Sequence, residues 1–410
     1  MAQIIPFKVV TPSKSKASLV PSRSYQSYNA TELKLKMANN PYSFLHVISP
    51  NYNKNKKNVA RYKAIRDTYL NFKNKSVFIS EKAPVFYIHK IVNHLGLVFN
   101  GIVAAASCED YKNNIIKKHE DTIVKREHTF KTYLDGVGFN AEPVLLTYPD
   151  SAIISKSIRD IQATSPDTTF TMNYGDSHSL WKVDNAEIIQ KIIDEFQTID
   201  SIYIADGHHR FASSYLLYEA KKAKDICHNK KMPYGFCMSY LIPESELVIK
   251  AFHRLIKSLN GFTKQAFFNA LALYYTLDKT DVNHCVPKTQ KSFGMYLEGE
   301  FYMLHLKKGS YKIKNALDNL DAHILFKTIL KPILGITDLR GSNQISYVDS
   351  EQGVASVKTS VDSKAYDIGF YVYPTTVEQM KEIADNGLSM PPKSTYILPK
   401  LRSGVTIYEL

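Results

Sequence analysis

Apolar residues recur along this chain in two rhythms. Val59, Tyr62, Ile65, Tyr69 and Phe72 fall three or four positions apart, which predicts an amphipathic helix. Similar spacing predicts helices over Ile153–Ile161, Ala186–Phe196, Phe211–Ala223 and Val377–Ala384, an apolar helix over Ile324–Leu334, and one long surface helix over Asp110–Leu134. Short apolar runs bounded by turn residues predict strands instead. They are Ile4–Val10, Phe44–Ile48, Val144–Tyr148, Thr168–Asn173, Ser179–Val183, Ser201–Ala205 and Phe236–Ile242. Val85–Val92 and Leu95–Ala105 meet at Asn93-His94 and predict a hairpin, and Phe293–Leu306 holds a second turn at Glu298-Gly299. This mixture predicts an α+β (mixed α/β) fold in a multi-domain compact body, with regions 1–150, 151–260 and 261–410.

The 410 residues, 44% hydrophobic, are ample for a large core and fit two or three domains. With 52 basic and 39 acidic residues the net charge is +13, which favours anionic partners. The lysines are spread out. Their densest cluster, Lys54, Lys56 and Lys57, stands among asparagines and reads as a solvated loop, so nucleic acid is the disfavoured partner. The most apolar region, Val85–Ser107, is interrupted by His89, Lys90, Asn93, His94 and Asn100 and predicts no membrane span. The N-terminus lacks the basic start and apolar run of a signal peptide, so a cytoplasmic location is expected. Cys108, Cys227, Cys237 and Cys285 lie far apart without Cys-x-x-Cys spacing, which fits a reducing compartment.

The candidate chemistry gathers where the strand Ser201–Ala205 runs into Asp206-Gly207-His208-His209-Arg210 and a helix follows. Asp206 is placed to cap that helix, and Gly207 permits a sharp turn and close approach of a ligand. His208, His209 and Arg210 then fall in the first helical turn, where free N–H groups and the helix dipole attract anions. An arginine adds bidentate phosphate recognition, and two imidazoles add hydrogen bonding or proton transfer. The plainer alternative is a helix cap followed by exposed basic residues. No His-x-x-x-His or cysteine pair completes a zinc set, and no Gly-x-x-x-x-Gly-Lys-Ser/Thr loop, Gly-x-Gly-x-x-Gly turn or Gly-x-Ser-x-Gly elbow is present.

Four segments carry a resemblance. Asn40-Pro41-Tyr42-Ser43-Phe44-Leu45, Lys118-His119-Glu120-Asp121-Thr122, the central Ile204–Phe211 and Met390-Pro391-Pro392-Lys393-Ser394-Thr395-Tyr396 together resemble the bacterial family catalogued as domain of unknown function ten-fifteen. The stretch Ser151–Ala223 is in turn similar to the ParB/sulfiredoxin-like superfamily, and within it to the free serine kinases. Those enzymes carry an Asp-Gly-His-His-Arg turn and phosphorylate L-serine with a nucleotide.

The resemblance implies a phosphoryl-transfer enzyme acting on a small hydroxylated metabolite, serine or phosphoserine first among them. Either kinase-like transfer or phosphoserine hydrolysis is open. Asp206, Gly207, His208, His209 and Arg210 match the kinase motif at every position. The kinases' upstream glutamate base would be Glu120, which lies further upstream here than in those compact enzymes; a solvated carboxylate on a charged helix is the other reading. His209 is the alternative proton acceptor. Gly207, His208, Arg210, Lys393, Ser394 and Thr395 would hold phosphate, unless the last three form only a rigid strap. His253-Arg254 is a lesser candidate, a type of pair found more often on the surface. A magnesium ion held partly by Asp206, and a nucleotide or pyrophosphate donor, complete the implied set. The alternative is a ParB-like nucleotide- or nucleic-acid-binding module without catalysis, although no helix-turn-helix with clustered Arg and Lys is visible. A sulfiredoxin-like repair enzyme would need a reactive cysteine near the motif, and Cys227 and Cys237 lie beyond the following helix.

Overall fold

The structure, a computed structural model, describes residues 1–24, 27–50, 58–224 and 232–410. The Lys54, Lys56 and Lys57 cluster and Cys227 lie outside them. The fold is mixed α/β, as the alternating rhythms predicted. Contacts divide the chain into a first unit (Met1–Lys118, Thr122–Leu247 and Pro399–Leu410) and a second (His119–Asp121 and Val248–Leu398).

The first unit is built on one large sheet. Its strands are β1 (Ile4–Ile5), β2 (Phe86–Val92), β3 (Val98–Ser107), β4 (Ile116–Lys117), β5 (Val144–Tyr148), β6 (Thr168–Thr171), β7 (Ser177–Val183), β8 (Ile202–Asp206) and β9 (Phe236–Pro243). Their order is β4-β8-β5-β9-β3-β2-β7-β6, with β1 beside β3. The expected hairpin is β2–β3, antiparallel from Val92↔Val98 to Tyr87↔Val103. Strand β9 pairs antiparallel with β3 and parallel with β5. One sheet therefore draws strands from residues 1–150 and from residues 151–260.

Five helices of this unit are α1 (Asn58–Asn74), α2 (Val124–Val137), α3 (Ala152–Gln162), α4 (Ala186–Phe196) and α5 (His208–Lys222). Asn185 caps α4, its side chain accepting from the Glu187 and Ile188 amides. Ile188, Ile189, Ile192, Ile193 and Phe196 then form one apolar stripe, which packs with Ile154 and Ile158 of α3 against Ile88, Ile102 and Ala104 of the sheet. Ile192 and Phe196 are fully buried, and each contributes roughly 1.5–3 kcal/mol by leaving water.

Three sequence expectations are corrected in this unit. Phe44–Ile48 is a single helical turn, Leu45–Ile48, and not a strand. A run this short and mostly apolar can be buried in either form, so periodicity cannot separate them. The long helix over Asp110–Leu134 is broken into a short helix Cys108–Lys112, strand β4 and helix α2. Asn114 takes a left-handed φ of 57° after the first piece, and the β-branched Ile116 then pairs with Ile202 at the sheet edge. The run Ile4–Val10 is likewise interrupted, with Ile4–Ile5 and Val10–Pro12 joining different partners.

The second unit holds an antiparallel sheet of β10 (Phe252–Ile256), β11 (Tyr275–Thr280), β12 (Ser292–Leu297), β13 (Glu300–Leu306), β14 (Ile345–Asp349) and β15 (Ile368–Val372), in the order β11-β13-β12-β15-β10-β14. Phe293, Met295 and Phe370 of this sheet pack against Phe267 and Leu271 of the helix Lys264–Leu271 and against Ile324, Leu325 and Ile329. The apolar helix expected over Ile324–Leu334 is instead a turn of α-helix, Asp321–Leu325, widening into the π-turn Phe326–Leu330. Among the described residues, no helix is long and apolar enough to cross a membrane.

Candidate functional site

Strand β8 carries Ile202, Tyr203, Ile204 and Ala205 into the buried sheet and delivers Asp206 at its end. Its pairing with β5 runs Tyr203↔Thr147 and Ile204↔Leu146, then jumps to Asp206↔Leu145. One extra residue on β8 is a β-bulge, a device that re-aims the next side chain. Gly207 follows in the left-handed region, at φ 100° and ψ 28°, and helix α5 begins at His208. The strand–turn–helix arrangement expected from the sequence is therefore present, with one correction. The N-cap residue is Gly207, one position after Asp206. Elsewhere in the unit Asn29, Ser151 and Asn185 cap their helices with their side chains.

Arg210 turns back over Gly207, so that a Cβ on the glycine would lie 2.9 Å from Arg210 Nε and Nη2. The guanidinium bonds the Pro143 carbonyl at 2.6 Å and meets Glu142 Oε1 at 2.9 Å and Asp206 Oδ2 at 3.2 Å. Burial opposes its charge, but Glu142 and Asp206 outweigh that and hold it protonated. Arg210 thus bridges two carboxylates, and the faces expected to grip phosphate are used to position Asp206 and Glu142. Glu142 also accepts from the Ser403 hydroxyl at 2.9 Å. Glu142 escaped the sequence reading: β5–β8 pairing brings it to Arg210, and nothing local to Ala141-Glu142-Pro143 signals that.

His208 is buried, and that burial, against the pull of Asp206, pushes its imidazole down to about 4. At neutral pH it is an uncharged hydrogen-bonding group and not a cation for phosphate. His209 is half-buried, with its carbonyl accepting from Ser213. Cys237, distant from the motif in sequence, is close enough in space to feel Arg210. Burial nonetheless pushes its thiol up to about 11, against the lowering effects of Ser214 and Arg210. Among the described residues no group of three or more His, Cys, Asp or Glu is placed to hold a metal ion. Asp206, the expected magnesium ligand, is already bonded to Arg210 and does not by itself make a resident site.

The other expected site residues belong to the second unit. Glu120 lies in the His119–Asp121 segment, so the structure does not gather it with Asp206 in one unit. That segment is tied to the C-terminal motif: the Met390 amide donates to the His119 carbonyl at 2.9 Å, and the Ser389 hydroxyl donates to Asp121. Two of the four resembling segments therefore meet. Lys393 is exposed and has a left-handed φ of 58°. The Ser394 hydroxyl donates to the Pro391 carbonyl at 2.7 Å, a bond within the strap. Thr395 is half-buried beside it. His253 and Arg254, read as a surface pair, are both only 3% exposed, on strand β10 between β15 and the edge strand β14.

The family model described as "Protein of unknown function (DUF1015)" matches residues 4–323. No relative matches among the curated proteins. Similar solved structures include a free serine kinase in complex with AMP, 12% identical, covering 74% of this chain and 91% of that chain, with a TM-score of 0.36. A conserved hypothetical protein from Pyrococcus furiosus is 13% identical, covering 72% and 90%, with a TM-score of 0.32. SbnI with a C-terminal truncation, from Staphylococcus aureus, is 13% identical, covering 72% and 82%, with a TM-score of 0.35. At these values the likeness carries no argument about activity.

Proposed function

We propose that this chain, which belongs to the family of proteins of unknown function DUF1015, transfers a phosphoryl group to or from a small hydroxylated metabolite at its Asp206–Arg210 turn. Serine and phosphoserine are the first candidates. The observation that carries this reading is the bulged strand that delivers Asp206 and a left-handed Gly207 to the first turn of helix α5. Amide groups at such a helix start receive phosphate oxygens, and the dipole there supplies about half a unit of positive charge.

Each residue then has a task. The Gly207 main chain lets a phosphate approach closely. Arg210 keeps Asp206 and Glu142 in place beside it. His209 accepts the proton of the attacking hydroxyl. As the new phosphorus–oxygen bond forms, the bond to the departing diphosphate or phosphate breaks. His208, neutral and buried, orients the turn.

Phosphorus NMR tests the reading. The protein is incubated with serine and magnesium and with ATP, ADP or pyrophosphate in turn, then with phosphoserine alone. A new phosphomonoester, or phosphate released from phosphoserine, is expected, and Gly207→Ala should abolish it. Tight nucleotide binding with no new phosphorus species across the panel would replace this reading with a binding module.

A further inference from the structure

Arg254 lies midway along β10, with Tyr347 of β14 and Phe370 of β15 as its cross-strand partners. Phe252, Arg254 and Ile256 share one face by strand alternation, and Ile256 and Phe370 belong to the apolar core. A guanidinium therefore occupies a row otherwise built from apolar side chains. It is held by the Phe252 carbonyl, by the Lys393 carbonyl at 3.1 Å and by the face of the Tyr347 ring at 5.5 Å. None of these carries a negative charge. Among the described residues no carboxylate lies within ion-pair distance of Arg254. Asp349, opposite Phe252, accepts from Gln352, and Glu351 is taken by Lys250 and Tyr396. Burial alone pulls the guanidinium down to about 10, partly opposed by Tyr347. An arginine so placed, without its counter-charge, is costly to fold.

A second cation is brought to the same place. The Lys393 ammonium stands 4.6 Å from the centre of the Phe252 ring, and the Lys393 carbonyl is the one that receives Arg254. Lys393 keeps a φ of 58°, a conformation that favours glycine. The strap holding it is fixed by the Ser394–Pro391 bond and by the Thr375 hydroxyl, which donates to the Ser394 carbonyl at 3.2 Å. Two like charges are gathered at Phe252, and among the described residues neither has an acidic partner. Lys393 is exposed, so an ion can reach the pair from its side.

We propose that Arg254 and Lys393 form an oxyanion site of the second unit that takes the phosphate group of a small molecule. Two cations match a dianionic phosphate better than a single carboxylate: the exposed Lys393 meets the ion, and Arg254, whose Nη groups serve the Phe252 and Lys393 carbonyls, adds its charge from behind the strap. Ser394 acts through the strap, as a positioning residue.

Hydrogen exchange read by mass spectrometry on the full chain tests this, with inorganic phosphate as the probe and acetate at matched ionic strength as the control. Peptides covering residues 250–256 and 390–396 should exchange several-fold more slowly with phosphate and not with acetate. Lys393→Gly should lose that protection while its melting temperature without phosphate stays level or rises, since glycine suits the left-handed backbone. Arg254→Met should also lose the protection, and Lys393→Gly decides alone if Arg254→Met fails to fold. No slowing with phosphate, equal slowing with acetate, or undiminished slowing in Lys393→Gly would each overturn the proposal. Peptides covering residues 206–212 report the turn in the same experiment, so its failure and this one are told apart.

Discussion

Glu142 and Arg210 lie 2.9 Å apart, and the same guanidinium reaches Asp206 at 3.2 Å, so one arginine orders both carboxylates of the turn. Each side chain of the Glu142–Arg210 pair is less than one-third exposed, so removing one partner leaves a poorly solvated charge. Glu142→Gln should cost about 1–3 kcal/mol, read from the urea midpoint at constant slope. Arg210→Lys should cost at least as much, because an ammonium cannot serve Pro143, Glu142 and Asp206 with one planar fork. The double variant should be less destabilised than the sum, and strict additivity would show that the pair is not coupled.

Gly207→Ala meets two obstacles at once. The residue has a φ of 100°, and its new Cβ would press on Arg210 Nε and Nη2 at 2.9 Å. A loss of about 1–3 kcal/mol is expected, with Arg210 displaced from Asp206. A crystal structure of the variant with Arg210 unmoved would contradict the close-approach argument.

Acid should destabilise the first unit through its buried histidines. Burial pushes His178 and His208 down to about 4, from about 6.5 in an unfolded chain. Between those values the unfolded chain binds more protons, so stability rises with pH from about 4 to 6.5 and is lost as pH falls through that window. Each residue accounts for on the order of 3 kcal/mol at most. His208→Gln should flatten the fall in denaturation midpoint below pH 6.5, and an unchanged slope would refute its buried, neutral state. Asp321 in the second unit has the opposite sign. Burial pushes it up to about 7, so the folded chain holds that proton longer and loses stability as pH rises from about 4 to 7.

Cys108 and Cys237 are buried with thiols pushed upward, so neither presents a thiolate near neutral pH. Iodoacetamide applied to the folded protein at pH 7.5 should leave both unmodified while it consumes free cysteine. Rapid labelling of Cys237, which lies beside Arg210 in space, would restore the repair-enzyme reading.

What the sequence disclosed was local. The hairpin of β2 and β3 showed itself in two apolar runs around Asn93-His94, and the turn at Asp206–Arg210 in a strand pattern followed by glycine and a helical pattern. The fate of His208 was not visible, because its burial depends on elements packed around α5. Glu142 was hidden for a similar reason: strand pairing, and no spacing in the chain, sets it against Arg210. Arg254 was misjudged because arginine is seldom fully buried, so composition argues for the surface even on a strand paired on both sides. The misread Asp110–Leu134 helix carries the opposite lesson. Charged residues at helical spacing imitate a continuous helix, while one left-handed asparagine ends it.

The short pairing of Val248–Lys250 with Tyr396–Leu398 sets Val248 directly opposite Leu398, the two ends of the long segment of the second unit. A segment that leaves and returns at neighbouring backbone positions can be exchanged as a cassette with little loop-closure penalty to its host. Excision of residues 249–397 in favour of a tight turn therefore makes a minimal scaffold of the first unit a realistic engineering target.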